Sequence, residues 1–317
     1  MPLARRSNPR SRVFVIFLDA KNVTVEGAWN IREPLIRLVD RILAPDDLVA
    51  VMTPEMAPSQ ITLGRKTEVI EGGLRKAWPW GTRHTVHEDE REALYNMCYP
   101  PSPAELLAGR STSELAKALI DRRRERLTLE AFKDLVYYLR DLREERKAVL
   151  TVTEGWLLYR PDPSVTKLRE KEGVPGIDPI GVGVGGKIRS RDTVDNIAGA
   201  SRYECDTDRM RLAQEDNEQY FRSIIDQANG ANTSFYTIDP RGLAAFDAPI
   251  GPEPPPPVSV DQARLRARLE NMRTLAGATD GLAVATSNDL DTSLKRISDD
   301  LTSWHSLMPG RILKWVI

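Results

Sequence analysis

Short apolar runs alternate with amphipathic stretches along this chain. Five runs read as buried strands: Val13–Leu18, Leu48–Met52, Ala148–Val152, Ser234–Ile238 and Leu282–Ala285. Between them, apolar residues recur at helical spacing, most clearly at Leu129, Phe132, Leu135, Val136, Leu139 and Leu142. Strands that alternate with helices favour parallel pairing. The pattern therefore predicts an α/β fold with a Rossmann-like, doubly wound sheet and helices on both faces.

Three local signals refine this prediction. Thr128 precedes the clearest helical stripe and is expected to be its N-cap. The short, mixed segment Gln60–Leu63 is expected to form an edge strand. Pro254 to Pro257 predict a stiff polyproline turn within the loop over residues 243–261.

Two long stretches interrupt the alternation, at about residues 78–126 and 156–213. Both exceed the usual length of a connection inside a compact domain. We interpret residues 1–317 as one domain that carries two insertions. Cys98 and Cys205 lie far apart, in different insertions, and the sequence leaves open whether they form a disulfide.

Composition limits the classes of partner. The chain has 45 basic and 46 acidic residues among 317, a net charge of −1. Such a balance supplies no overall field to attract nucleic acid, so no nucleic-acid partner is expected. No apolar stretch has the length of a membrane span, and none is expected.

Asp19 is the first candidate for chemistry. It directly follows the apolar run Val13–Leu18, so it should lie at the carboxyl end of a buried parallel strand. Ligands and metals bind outside the carboxyl ends of strands in open α/β sheets. Glu154 and Asp239 follow two further predicted strands and could converge with Asp19, although the phrase Asp239-Pro240-Arg241 also fits a structural turn pair.

Several phrases, in order, resemble a von Willebrand factor type A (VWA) domain, and specifically the VWA-related family common in Acidobacteria. They are Phe17-Leu18-Asp19, Leu43 to Val51, Arg146 to Leu150, Thr153-Glu154-Gly155-Trp156, Ala231 to Leu243 and Leu275 to Gly281. The resemblance implies a VWA-like fold with one antiparallel edge strand, and binding of a protein partner. It also implies export, although no signal peptide is recognisable in this sequence, which as written would be cytoplasmic.

VWA domains bind partners through a metal-ion-dependent adhesion site, whose motif begins Asp-x-Ser-x-Ser. Asp19 matches the acid of this motif, but Lys21 and Val23 stand at the two serine positions. An ammonium group repels Mg²⁺, which prefers oxygen ligands. We expect Lys21 to neutralise Asp19 in a degenerate site without a cofactor. The alternatives are a retained Mg²⁺ site, or one in which the Asn22 amide oxygen serves as a ligand.

The resemblance also assigns a threonine in a second loop and an acid in a third. Thr67 is the best candidate for the threonine, with Thr53 and Thr62 as rivals, and Glu154 takes the place of the acid. Asp19, Thr67 and Glu154 would be the metal ligands if a metal binds. With Lys21 and Asn22 they would form the rim that meets a partner, and Trp156 either lines that rim or covers the sheet.

Two functions remain open at this point. The first is a non-catalytic module that binds an unknown protein partner, which the resemblance favours. The second is a metal-dependent ribonuclease, because Asp19 and Asn22 also resemble the strand-end Asp-x-x-Asn of NYN/PIN-type enzymes. Such an enzyme would use Asp19, Glu154 and Asp239 to hold Mg²⁺ for attack on phosphate.

Overall fold

The fold was analysed in a computed structural model. It describes residues 12–44, 47–76, 78–83, 89–142, 146–166, 180–182, 188–190, 202–249, 251, 253–285 and 287–306.

A five-stranded, all-parallel sheet forms the centre of the molecule, as the apolar runs predict. Its strands stand in the order β2-β1-β3-β6-β7. They are β1 (Val13–Leu18), β2 (Leu48–Met52), β3 (Lys147–Val152), β6 (Thr233–Ile238) and β7 (Ala283–Val284). A separate antiparallel pair consists of β4 (Ile180–Val182) and β5 (Ile188–Ser190). After β1, the chain forms β2 on one side of β1 and later forms β3 on the other side. The strand order therefore reverses at β1.

Ten α-helices are assigned within the described residues. They are α1 (Val25–Ile42), α2 (Lys66–Val69), α3 (Glu90–Cys98), α4 (Pro103–Leu107), α5 (Glu114–Leu142), α6 (Pro163–Thr166), α7 (Arg202–Gln214), α8 (Asn217–Gly230), α9 (Val258–Ala278) and α10 (Leu290–Ser306). A π-helix, Ile70–Lys76, continues α2. In the part of the chain that is described, no helix is both long and apolar enough to cross a bilayer.

Both faces of the sheet are covered because successive residues of a strand point to opposite sides. Val13, Val15 and Phe17 pack with α5, α8 and α9 in one core. Phe14, Ile16 and Leu18 pack with α1, α10 and the π-helix in the other. The doubly wound arrangement is therefore consistent with the sequence prediction.

The expected antiparallel edge strand is not formed. Pro58–Gln60 instead make a 3₁₀ turn, in which the Gln60 side chain accepts a hydrogen bond from the Ala57 N–H at 2.9 Å. Beyond this turn, Gly64 makes one antiparallel bridge with Val49 of β2. This turn and a single bridge replace the continuous pairing that the segment led us to expect.

Helix α5 begins fifteen residues before Leu129, the first residue of the apolar stripe, so Thr128 is not its N-cap. The helix starts at Glu114, where the Ser113 hydroxyl accepts a hydrogen bond from the Ala116 N–H at 3.0 Å. Ion pairs four residues apart, such as Lys117 with Asp121 at 3.0 Å, support the added turns. Thr128 therefore lies in mid-helix, fully buried.

The two insertions pack against each other. Their helices share a third apolar cluster, which includes Leu94, Tyr95, Ala116, Leu119, Cys205 and Leu212. The Cys98–Cys205 disulfide joins α3 to α7, with the two Cα atoms 6.5 Å apart, and this answers the question that the sequence left open. The insertion helices thus bury apolar surface of their own beside the sheet.

Candidate functional site

Asp19, Thr153 and Asp239 lie side by side at the carboxyl edge of the sheet. Each follows its strand directly and donates a backbone hydrogen bond to the neighbouring strand. Asp19 N–H donates to Val152 O at 3.0 Å, Thr153 N–H to Ile238 O at 3.0 Å, and Asp239 N–H to Val284 O at 2.8 Å. Because the strand order reverses at β1, Asp19 occupies the position where ligands bind in this class of fold.

The Asp19 carboxylate is fully buried and is enclosed by four side-chain donors. The distances are 3.0 and 3.1 Å from Asn22 Nδ2, 2.8 Å from Thr128 Oγ1, 2.8 Å from Thr153 Oγ1 and 3.0 Å from Trp156 Nε1. A carboxylate has about four lone-pair directions. Side chains of the protein therefore occupy the positions that a metal ion would need.

The two hydroxyl groups are fixed as donors to Asp19. Thr153 Oγ1 already accepts from Gly155 N–H at 3.0 Å, and Thr128 Oγ1 from Asn22 Nδ2 at 3.1 Å. Their hydrogens consequently point to the carboxylate. Burial raises the pKa of Asp19, and the surrounding hydrogen bonds oppose that rise.

Among the described contacts, Lys21 pairs with Glu55 and not with Asp19, where we expected it. Its ammonium group forms an ion pair with Glu55, at 2.8 Å between Nζ and Oε1. Burial alone would raise the pKa of Glu55, but the hydrogen bond and charge of Lys21, together with hydrogen bonds from Thr53 and the backbone, lower it. The lysine at the first serine position of the motif therefore links the loops after β1 and β2.

Glu154 secures the start of α1. Its Oε1 accepts from Thr24 N–H at 2.7 Å and from Thr24 Oγ1 at 2.8 Å. Thr24 is the N-cap of α1, and its hydroxyl also accepts from Gly27 N–H at 3.0 Å. A Cβ atom on Gly27 would lie 2.8 Å from Glu154 Oε1, so glycine permits this close approach. Burial raises the pKa of Glu154, against the opposing charge of Arg241.

Arg241 stands between the other two strand-end acids. Its guanidinium donates to Asp239 Oδ1 at 3.0 Å and to Asp239 Oδ2 at 2.8 Å. It also donates to the Glu154 backbone oxygen at 3.1 Å, and Nε lies 3.7 Å from Glu154 Oε2. Asp239 and Arg241 thus form the structural turn pair that their spacing allowed. Glu154 and Asp239 converge on an arginine, while Asp19 is enclosed separately.

Thr67 does not lie with these residues. It is exposed in α2. The adjacent Lys66 pairs with Asp40, near the end of α1, at 3.0 Å between Nζ and Oδ1. Since α1 starts at the carboxyl edge beside Glu154, its end lies toward the opposite edge. Of the two rival candidates, Thr53 follows β2 directly and hydrogen-bonds to Glu55, and Thr62 is exposed.

The segment after Glu154 is held against α5. The Glu125 carboxylate accepts from the N–H groups of Leu157, Leu158 and Tyr159 at 2.8, 3.0 and 2.8 Å. Asn217 Nδ2 adds a fourth bond at 2.9 Å. Leu158 has a φ of 55°, a conformation that costs energy for a leucine and is maintained here by these bonds. Burial raises the pKa of Glu125, and its hydrogen bonds oppose the rise.

Sequence reasoning missed Thr128, Thr153 and Glu125 as parts of this site, and left the role of Trp156 open. Thr153 and Trp156 stand in the same phrase as Glu154, which was a usable signal. Thr128 lies 109 residues from Asp19 in the sequence, and Glu125 lies 32 to 34 residues from the backbone N–H groups that it accepts from, so spacing gave no signal for either. Among the described residues, no group of three or more His, Cys, Asp or Glu side chains could hold a metal.

Comparisons with known proteins leave the family open. No family model matches the chain, and no curated protein matches it. Among solved structures, the chain is similar to the D319A mutant of the PilB minor pilin from Streptococcus sanguinis, with a TM-score of 0.40 and 10% sequence identity. The match covers 96% of this chain and 65% of the pilin chain. A similarity this low carries no argument about fold or function.

Proposed function

We propose that this chain is a non-catalytic, VWA-like module that binds a protein partner without a metal ion. One observation carries the metal-free part of the proposal: four neutral donors enclose the Asp19 carboxylate, at the position where the resemblance implies a metal ligand. Binding a metal there would require these bonds to break. The residues present therefore do not fit the ion that the resemblance implies.

Arg241, between Asp239 and Glu154 at the same carboxyl edge, also supports a site without a metal ion. A guanidinium group is permanently charged and matches carboxylates in a two-pronged geometry. It occupies the position between Asp239 and Glu154 that a divalent cation would take in a site shared by those acids. We therefore favour the binding module over the ribonuclease, which would need Asp19, Glu154 and Asp239 around one ion.

Binding in the presence and absence of metal tests this function. The purified chain would be immobilised, exposed to extract of its source cells in Mg²⁺ or in EDTA, and the retained proteins identified by mass spectrometry. We expect the same specific partner in both conditions, and none on a heat-denatured control. Loss of the partner in EDTA would contradict the proposal. So would cleavage of RNA with Mn²⁺ that Asp19→Ala abolishes.

A further inference from the structure

An exposed apolar surface lies between α4 and the start of α9. Leu107 in α4 is 90% exposed and Phe246, in the loop before α9, is 57% exposed. Leu106 of α4, and Val258 and Val260 in the first turn of α9, are exposed as well. We call these five residues the α4–α9 surface. Single exposed apolar side chains are common, whereas a group of neighbouring ones marks a site of association.

Contacts between three chain segments bring these residues together. A Cβ atom on Gly109, just after α4, would lie 4.0 Å from Pro254 Cδ, so the end of α4 touches the segment that leads into α9. From the other side, Asp247 N–H donates to Asp261 Oδ2 at 3.0 Å. This bond places the residue before it, Phe246, against the first turn of α9. The two leucines, the phenylalanine and the two valines are therefore neighbours.

The loop that carries Phe246 is ordered by hydrogen bonds. Asp261 accepts a second bond, from Ala248 N–H to Oδ1 at 2.7 Å, so both of its oxygens hold the loop. The exposed rings of Pro254 and Pro255 extend the apolar surface toward α4. Proline has a fixed φ, which limits the motion of this part of the chain. An ordered surface loses little conformational entropy when it is covered.

The loop and the proline segment add little free charge to the surface. Over residues 242–260, Asp247 and Glu253 are the only charged residues in the sequence. Asp247 Oδ1 forms an ion pair with Arg268 Nε at 2.8 Å, and Glu253 Oε1 accepts from Ser111 Oγ at 2.8 Å. Both carboxylates are thus engaged within the chain. What remains exposed here is apolar and close to neutral.

We propose that the α4–α9 surface is a two-fold interface between two copies of this chain. In such an interface the same patch meets itself, so a charged patch would bring like charges together and a neutral apolar patch does not. The net charge of the whole chain is −1, so two copies repel each other little. A membrane surface is recognised through basic residues beside apolar ones, whereas Arg110, next to α4, pairs with Glu114. This interface goes beyond the proposed function, because it needs no second kind of protein.

Sedimentation equilibrium of the full chain over a series of concentrations tests the proposal. We expect the mass to rise with concentration from the 35.6 kDa of one chain toward twice that value. Leu107→Glu and Phe246→Glu should each weaken the association by about tenfold or more, because each places a charge in the apolar interface. Trp29→Glu is the matched control, since Trp29 is also exposed but lies on α1, which covers the opposite face of the sheet. It should associate as tightly as the wild type.

Three results would overturn the proposal: the mass of one chain at every concentration, undiminished association of Leu107→Glu and Phe246→Glu, or an equal loss in Trp29→Glu. The first two substitutions lie on different elements and at exposed positions, so a folding defect in one, detected by its melting temperature, leaves the other as the test. The proposed function has a separate readout, the retention of a different protein in Mg²⁺ and in EDTA. A chain that retains this partner but never associates with itself would contradict the two-fold interface alone.

Discussion

Replacing Asp19 by asparagine preserves the shape of the side chain but changes its hydrogen bonding. In the wild type, Oδ1 accepts from Thr128, Oδ2 accepts from Thr153 and Trp156, and Asn22 Nδ2 donates to both oxygens. An amide can accept at only one of these positions. In either orientation, its NH₂ group faces two side chains that are themselves donors.

The magnitude follows from those two donors. A buried donor that loses its acceptor costs about 1–3 kcal/mol, so two give about 2–6 kcal/mol. Removing a buried negative charge offsets part of this loss, since burial raises the pKa of Asp19 and thus disfavours its charged form. We therefore expect Asp19→Asn to lower the free energy of unfolding by about 2–3 kcal/mol.

Urea denaturation followed by circular dichroism measures this change, and Asp141→Asn serves as the control. Asp141 is exposed and pairs only with the adjacent Arg140 among described contacts, so its replacement should change stability little. An Asp19→Asn variant as stable as the wild type, or more stable, would refute the reasoning. That result would mean that the four donors do not depend on a carboxylate at this position.

Three further predictions concern the parts that hold the site. Replacing Cys98 and Cys205 by serine opens a loop of more than 100 residues and should lower the free energy of unfolding by about 2–5 kcal/mol in urea, and a reductant should then have no further effect. Gly155→Ala should lower the free energy of unfolding by at least about 1–2 kcal/mol, because Gly155 has a φ of 86° and a Cβ atom there would lie 2.7 Å from a backbone oxygen. Gly277→Ala is the control, and because open space surrounds Gly277 it should be neutral or stabilising. Equal effects of the two substitutions would contradict the strained backbone assigned to Gly155. Burial raises the pKa of Glu125, so its carboxyl group stabilises the fold at acid pH, and this contribution is lost as the pH rises through the folded-state pKa. The free energy of unfolding of the wild type, relative to Glu125→Gln, should therefore fall as the pH rises above about 4.3. A relative increase over the same pH range would contradict the raised pKa.

Local patterns predicted the elements of the sheet well, because β1 and β2 are continuous apolar runs and β3 and β6 each have an apolar centre. The first run, Val13–Leu18, matches β1 residue for residue, and Leu48–Met52 matches β2. Helix α5 was underestimated because dense charges of both signs in its first half obscure a shorter apolar stripe at Ala116, Leu119 and Ile120. Its buried members, such as Glu125, are paired by residues far away in the sequence.

The candidate site was predicted only in its location. The run that ends in Asp19 indicated a buried acid at the carboxyl edge, and the structure has it there. Its neighbours depend on side-chain direction, which spacing does not reveal. Lys21 is two residues away yet pairs with Glu55, whereas Thr128 is 109 residues away and donates to Asp19.

The central claim is that this edge of the sheet is organised by side-chain donors and an arginine, without a metal. Titrating the purified chain with Mg²⁺ and Mn²⁺ after dialysis against EDTA, while following the melting temperature, tests it most directly. A metal that binds only the folded chain adds about 2.7 kcal/mol of stability at a hundredfold excess over its Kd. We predict no saturable rise in melting temperature for the wild type. A saturable rise at sub-millimolar metal that Asp19→Asn abolishes would contradict the account.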